Sequence, residues 1–231
     1  MRKHIIANYI QPDVIQMPPR HKYRICRKCN GVLGAAFENS ASGLIKRLID
    51  AESFSLDPRE QLLVGRWIAK TVLLTCLADS KPENWGYEIA RKKVLEMMAS
   101  GVPPVNTSVR LARMEMGGDD RVIPDNYTGN LLPAKMPDYA FFGINVVGNL
   151  CFELVTGIVG FERYVRWIDR RTLRFIRIWP TRNEEINWPP PKTLHMKQVD
   201  QMRQEFMKAR INVGELADPR RRTWDSDGYR H

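Results

Sequence analysis

One stretch fixes most of what this chain can fold into: residues 58–78 read as a helix that is apolar around much of its circumference. Leu62, Leu63, Trp67, Ile68, Thr71, Val72, Leu74 and Leu77 do not gather on a single stripe. Such a helix must be covered on more than one side, so it is expected at the centre of the molecule. Its start is set by local chemistry. Ser55 or Asp57 can accept hydrogen bonds from the first free amides. Pro58 suits the first turn, where an N–H is not needed. Glu60 places negative charge near the positive end of the helix. Cys76 fits this helix as a small core residue.

A second helix is expected from Glu83 to Ser100, ended by Gly101 and the Pro103-Pro104 pair. A shorter helical pattern starts near Ala35, with Phe37, Leu44, Ile45, Leu48 and Ile49 close to a 3.6 period. Beyond residue 104 the period changes. Ser108 to Met116 alternates and reads as a strand. Gly117 to Asp120 reads as a turn, and Asp125 to Pro137 as a loop. Tyr139 to Val147 and Leu150 to Val155, joined by Gly148-Asn149, read as a hairpin. Leu173 to Trp179 reads as a further strand stopped by Pro180. Pro189-Pro190-Pro191 marks a boundary. Thr193 to Arg210 then reads as a polar, exposed helix, and 218–231 as disordered.

The expected class is α+β. A small module over 1–50 leads into a domain of two helices and an antiparallel sheet over 51–188. A polar helix and tail follow over 189–231.

With 43% hydrophobic residues in 231, a sizeable core is available. The net charge of +10 points to a polyanionic partner, nucleic acid before membrane. That charge is unevenly placed. Residues 1–50 carry nine Lys/Arg against Asp13, Glu38 and Asp50, and 163–182 carry seven Arg against Asp169. In the first segment Arg24, Arg27 and Lys28 are candidate phosphate contacts, and in the second Arg170, Arg171 and Arg174. A solvated helix-and-strand face explains the second Arg cluster equally well. Four cysteines, two of them in one Cys-x-x-Cys, do not make a secreted disulfide framework. Neither a leader peptide nor a run of ~20 apolar residues is seen, so a cytoplasmic protein without membrane spans is expected.

The candidate chemistry lies near the N-terminus, in Cys26-Arg27-Lys28-Cys29-Asn30, with His4 upstream and Glu38-Asn39 downstream. Cys26 and Cys29 have the spacing of half a tetrahedral zinc site. The same pair also reads as an unligated turn or a redox pair. Asn30 can cap the turn with its side chain, and Glu38 can favour a helix N-terminus.

These residues resemble the zinc-containing HNH/HNN (ββα-metal) endonuclease-like family. His4-Ile5-Ile6 is similar to the segment carrying the family's catalytic His. Cys26-x-x-Cys29-Asn30 is similar to its Cys-x-x-Cys-Asn turn. Gly34 with Phe37-Glu38 is similar to the start of its helix. A looser likeness continues through Trp67-Ile68-Ala69-Lys70-Thr71 and Gly101-Val102-Pro103-Pro104. The resemblance implies metal-dependent hydrolysis of DNA phosphodiester bonds, DNA being favoured over RNA. It implies His4 as general base, and Asn30 as the group that orients the base loop or, in one variant, binds metal. Glu38 or Asn39 falls near the last motif position, and Asn39 is the choice with precedent in the HNN variants. It also implies a structural zinc on Cys26 and Cys29, and a catalytic Mg or Mn.

The chain departs from the pattern in having Lys3 where an acidic residue is usual. It also lacks the upstream Cys pair. With three residues before His4, the module reads as N-terminally incomplete. His21 or a protein partner would then complete the zinc site. The competing expectation is a non-catalytic zinc-containing protein that binds nucleic acid or a partner.

Overall fold

Asp57 and Glu60 start the long helix by bonding each other's backbone. The Asp57 carboxylate accepts from the Glu60 N–H at 2.7 Å, and the Glu60 carboxylate accepts from the Asp57 N–H at 3.1 Å. This reciprocal capping box satisfies two amides that a helix start leaves open. Ser55, the other candidate cap, instead donates to the Asn187 side chain at 2.8 Å. The computed structural model describes residues 33–79, 85–115, 127–131, 140–157 and 174–202, together with 31 and 204.

A π-helical segment, Gly34–Asn39, precedes helix α1 (Ser42–Ile49) and the short strand β1 (Phe54–Leu56). Helices α2 (Pro58–Asp79) and α3 (Trp85–Ser100) follow. Then come β2 (Thr107–Met114), β3 (Tyr127–Leu131), β4 (Ala140–Val147) and β5 (Leu150–Gly157). The described chain closes with β6 (Ile176–Trp179), β7 (Ile186–Trp188), β8 (Thr193–Leu194) and a helix, α4, over 196–202. The class is α+β.

The main sheet runs β3-β4-β5-β2-β6, with β8 joined to β2 in parallel at Arg113 and Met114. The other described ladders are antiparallel, including a separate pair of β1 with β7. Apolar clusters cover both faces of β2 and β5. On one, Val109, Leu111, Phe152 and Leu154 pack with Val64, Trp67 and Ile68 of α2. The Trp67 and Phe152 rings meet edge to face at 5.6 Å. On the other, Ala112, Ile144, Val146, Cys151 and Val155 pack with Leu194 and Val199.

The core is continuous across residue 50. Leu33, Phe37, Ile45 and Leu48 belong to the same cluster as Val64 and Trp67. The β4–β5 turn locks α1 in place. The Asn149 amide donates to the Ile49 carbonyl at 3.1 Å. Gly148 has φ +54°, and a Cβ there would lie 2.7 Å from Ile49 Cγ2, so only glycine fits.

Two expectations are corrected. Residues 125–137 are not all loop, because Tyr127–Leu131 pairs with β4 as the sheet's edge strand. The segment from Thr193 is not simply a polar, exposed helix. Its first two residues extend the sheet, and Val199 is fully buried under it. The helix expected from Glu83 is described from Trp85. Cys76 is buried as expected. The Gly117–Asp120 turn and the tail over 218–231 lie outside the described residues.

Candidate functional site

The described part of the candidate site is the π-helical turn that follows Asn30. Phe37 is the residue of this turn that sinks into the core. Its neighbours then fall against α2. Two cations on α2, Arg66 and Lys70, are one turn apart and share a face. The Arg66 guanidinium donates to the Ala36 carbonyl at 3.1 Å and lies 4.8 Å from the centre of the Phe37 ring. Lys70 Nζ donates to the Glu38 carboxylate, and the two form an ion pair.

This pair is asymmetric. The Lys70 side chain is fully buried, while that of Glu38 is 23% exposed. Burial lowers the Lys70 pKa below its ordinary value, and the hydrogen bond and charge of Glu38 oppose the shift. Burial also lowers the pKa of Arg66. An ammonium with no access to water needs a carboxylate beside it, so Glu38 is held where Lys70 requires it. That carboxylate is therefore engaged with a cation. Asn39, the next residue, is exposed. Its carbonyl accepts from the Ser42 hydroxyl at 3.1 Å, which joins the turn to α1.

Of the other candidate residues, His4, Arg24, Cys26, Arg27, Lys28, Cys29, Asn30, Arg170 and Arg171 lie outside the described residues. Arg174 is half-buried and donates to the Thr193 carbonyl and, at 2.8 Å, to the Gln198 side chain. It ties the start of β6 to β8 and α4. Among the described residues no three His, Cys, Asp or Glu come together as a metal-binding group. Nor is any described helix long and apolar enough to cross a membrane.

Lys70 and Arg66 carry no role in the sequence reading. Their signal was present nonetheless. A lysine set in Trp67-Ile68-Ala69-Lys70-Thr71-Val72 interrupts a run that must be buried, so it needs an acid from elsewhere. A second buried pair has the same kind of signal. Arg110 and Glu153 stand opposite each other on β2 and β5, 3.7 Å apart, both almost fully buried.

Comparison with known proteins does not add to this geometry. Family models, curated proteins and solved structures all return no match.

Proposed function

We propose that this chain is an HNH-like protein that cleaves DNA phosphodiester bonds, with Asn39 as the last polar residue of its motif. One observation supports the choice of residue. Lys70 engages Glu38, so of these two adjacent side chains Asn39 is the exposed one, on a turn fixed by Arg66 and Lys70. A reacting group is most effective on a turn that does not have to be ordered at each encounter.

In this reading His4 takes a proton from the attacking water and Asn30 orients the base loop. Cys26 and Cys29 hold a structural zinc, completed by His21 or a partner chain. A catalytic Mg or Mn supplies charge stabilisation at the phosphate. The module is a ββα-metal unit whose helix is the 34–49 region docked on α2. The net charge of +10 supports a nucleic-acid substrate, with DNA favoured.

The test is nicking of supercoiled plasmid in Mg²⁺ or Mn²⁺, beside His4→Ala and an EDTA control. Metal-dependent nicking that His4→Ala abolishes is the expected result. Equal activity in His4→Ala would remove the assigned base.

A specific observation favours a second reading, a non-catalytic zinc-containing module that holds nucleic acid or a partner. Glu38 is neutralised by Lys70, and Lys3 stands before His4 where a carboxylate is usual. DNA binding without nicking in either metal is the outcome that selects it.

A further inference from the structure

We infer that the cleft between β6 and the loop over 180–184 is a phosphate-binding subsite for a nucleic-acid backbone, with Arg177 as its central cation. The inference rests on the nucleic-acid reading above but not on cleavage.

The cleft has a volume of about 570 Å³ and is lined by Arg177, Pro180, Thr181, Arg182, Asn183 and Glu184. It is shallow and open to solvent, and wide enough for a phosphate with its sugar. Arg177 stands in register beside Arg110, which in turn faces Glu153. The row across β6, β2 and β5 therefore holds two guanidiniums and one carboxylate. Glu153 lies 3.7 Å from Arg110. No carboxylate pairs with Arg177 among the described residues, and its Nε is buried without a hydrogen-bond partner among them. Arg177 lines the cleft, so the terminal nitrogens of its guanidinium, and not the buried Nε, are what an anion there meets. Its planar fork matches two oxygens of a phosphate.

The opposite wall is pre-set. Gln61 is fully buried on α2 and fixes the loop through its side-chain amide. It donates to the Glu184 carbonyl at 2.8 Å and to the Leu56 carbonyl at 3.2 Å, and it accepts from the Arg182 N–H at 2.9 Å. Arg182 pairs with Glu184 at 3.3 Å, but both side chains are well exposed. Such a pair is weak, so Arg182 can turn to a phosphate as the second cation. Glu184 opposes the anion and weakens the site. Thr181 and Asn183 offer neutral donors.

The test is fluorescence polarisation of a labelled DNA duplex with the full chain, at several salt concentrations and without added Mg²⁺ or Mn²⁺. Arg177→Gln is expected to weaken binding about tenfold and to reduce the slope of log K against log salt by about 1. Glu184→Gln is expected to tighten binding more than Glu52→Gln, which removes the same charge outside the cleft. Thermal melting checks that Arg177→Gln is folded, and Glu184→Gln, on an exposed loop, carries the test by itself if it is not. Wild-type affinity and slope in Arg177→Gln would overturn the inference. So would equal effects of Glu184→Gln and Glu52→Gln, or no binding by the wild type. Nicking by a protein whose affinity ignores Arg177 would remove the cleft and leave the nuclease reading. Binding that depends on Arg177 without nicking would do the reverse.

Discussion

Lys70 and Glu38, thirty-two positions apart in the chain, form an ion pair whose ammonium is fully buried and whose carboxylate is partly wet. The pair fastens the turn after the Cys-x-x-Cys-Asn run to the central helix. Removing Glu38 leaves the ammonium without its counter-charge in a low-dielectric site, whereas removing Lys70 leaves a carboxylate that water partly reaches. Glu38→Gln is therefore expected to cost about 3 kcal/mol, and Lys70→Met to cost less. The double variant is expected to cost less than the two added together. Urea melts of the four proteins measure that coupling, and strict additivity would mean that the pair contributes nothing.

The same pair has a pH signature. Burial lowers the Lys70 pKa in the folded state below its ordinary value of 10.5. Between the folded and unfolded pKa values the unfolded chain binds more protons, so stability rises with pH through that window. The stability of wild type relative to Lys70→Met is therefore expected to increase with pH between the lowered folded-state pKa of Lys70 and 10.5. Paired melts across that range isolate the Lys70 contribution, and a gap that narrows would contradict the lowered pKa.

Gly148 tests the docking of α1. Its φ of +54° disfavours other residues, and a Cβ would meet Ile49 Cγ2 at 2.7 Å. Gly148→Ala is expected to cost about 1–3 kcal/mol, read as a lower Tm. An unchanged Tm would mean that the hairpin tip and α1 are not locked together.

Asn145 is 2% exposed, and neither its amide oxygen nor its amide nitrogen has a hydrogen-bond partner among the described residues. It stands opposite Phe152, on the helix-covered side of the sheet. Asn145→Leu is expected to raise stability by about 1–2 kcal/mol, because a buried amide without partners is costly. A lower denaturation midpoint would show that the amide does find a partner.

How much of this was legible in the sequence follows from the range of each interaction. Helix α2 was readable almost to its ends because its cap is local and its apolar coverage is continuous. The β4–β5 hairpin was readable because Gly148-Asn149 separates two apolar runs. Strand β3 was not, since Asn126, Gly129, Asn130 and Pro133 are turn formers and only pairing with β4 makes the segment extended. Strands β1 and β7 are three residues each, too short to show a period, and each exists only through the other. At the site, the Phe37-Glu38-Asn39 turn was visible as a helical start. The choice between Glu38 and Asn39 was not, because the partner that decides it sits on another helix. The roles of Gln61 and Arg177 were equally hidden, depending on a loop more than a hundred residues from α2.

On the proposed function, Lys70 makes Glu38 structural and leaves Asn39 as the residue that acts. The most direct measurement is the initial rate of metal-dependent plasmid nicking by wild type and Asn39→Ala, with Tm recorded for both proteins. The account predicts nicking by the wild type, at least a hundredfold loss in Asn39→Ala, on the order of what removing one polar catalytic group costs, and an unchanged Tm. Nicking by Asn39→Ala at the wild-type rate, or no nicking by the wild type in either metal, would contradict it.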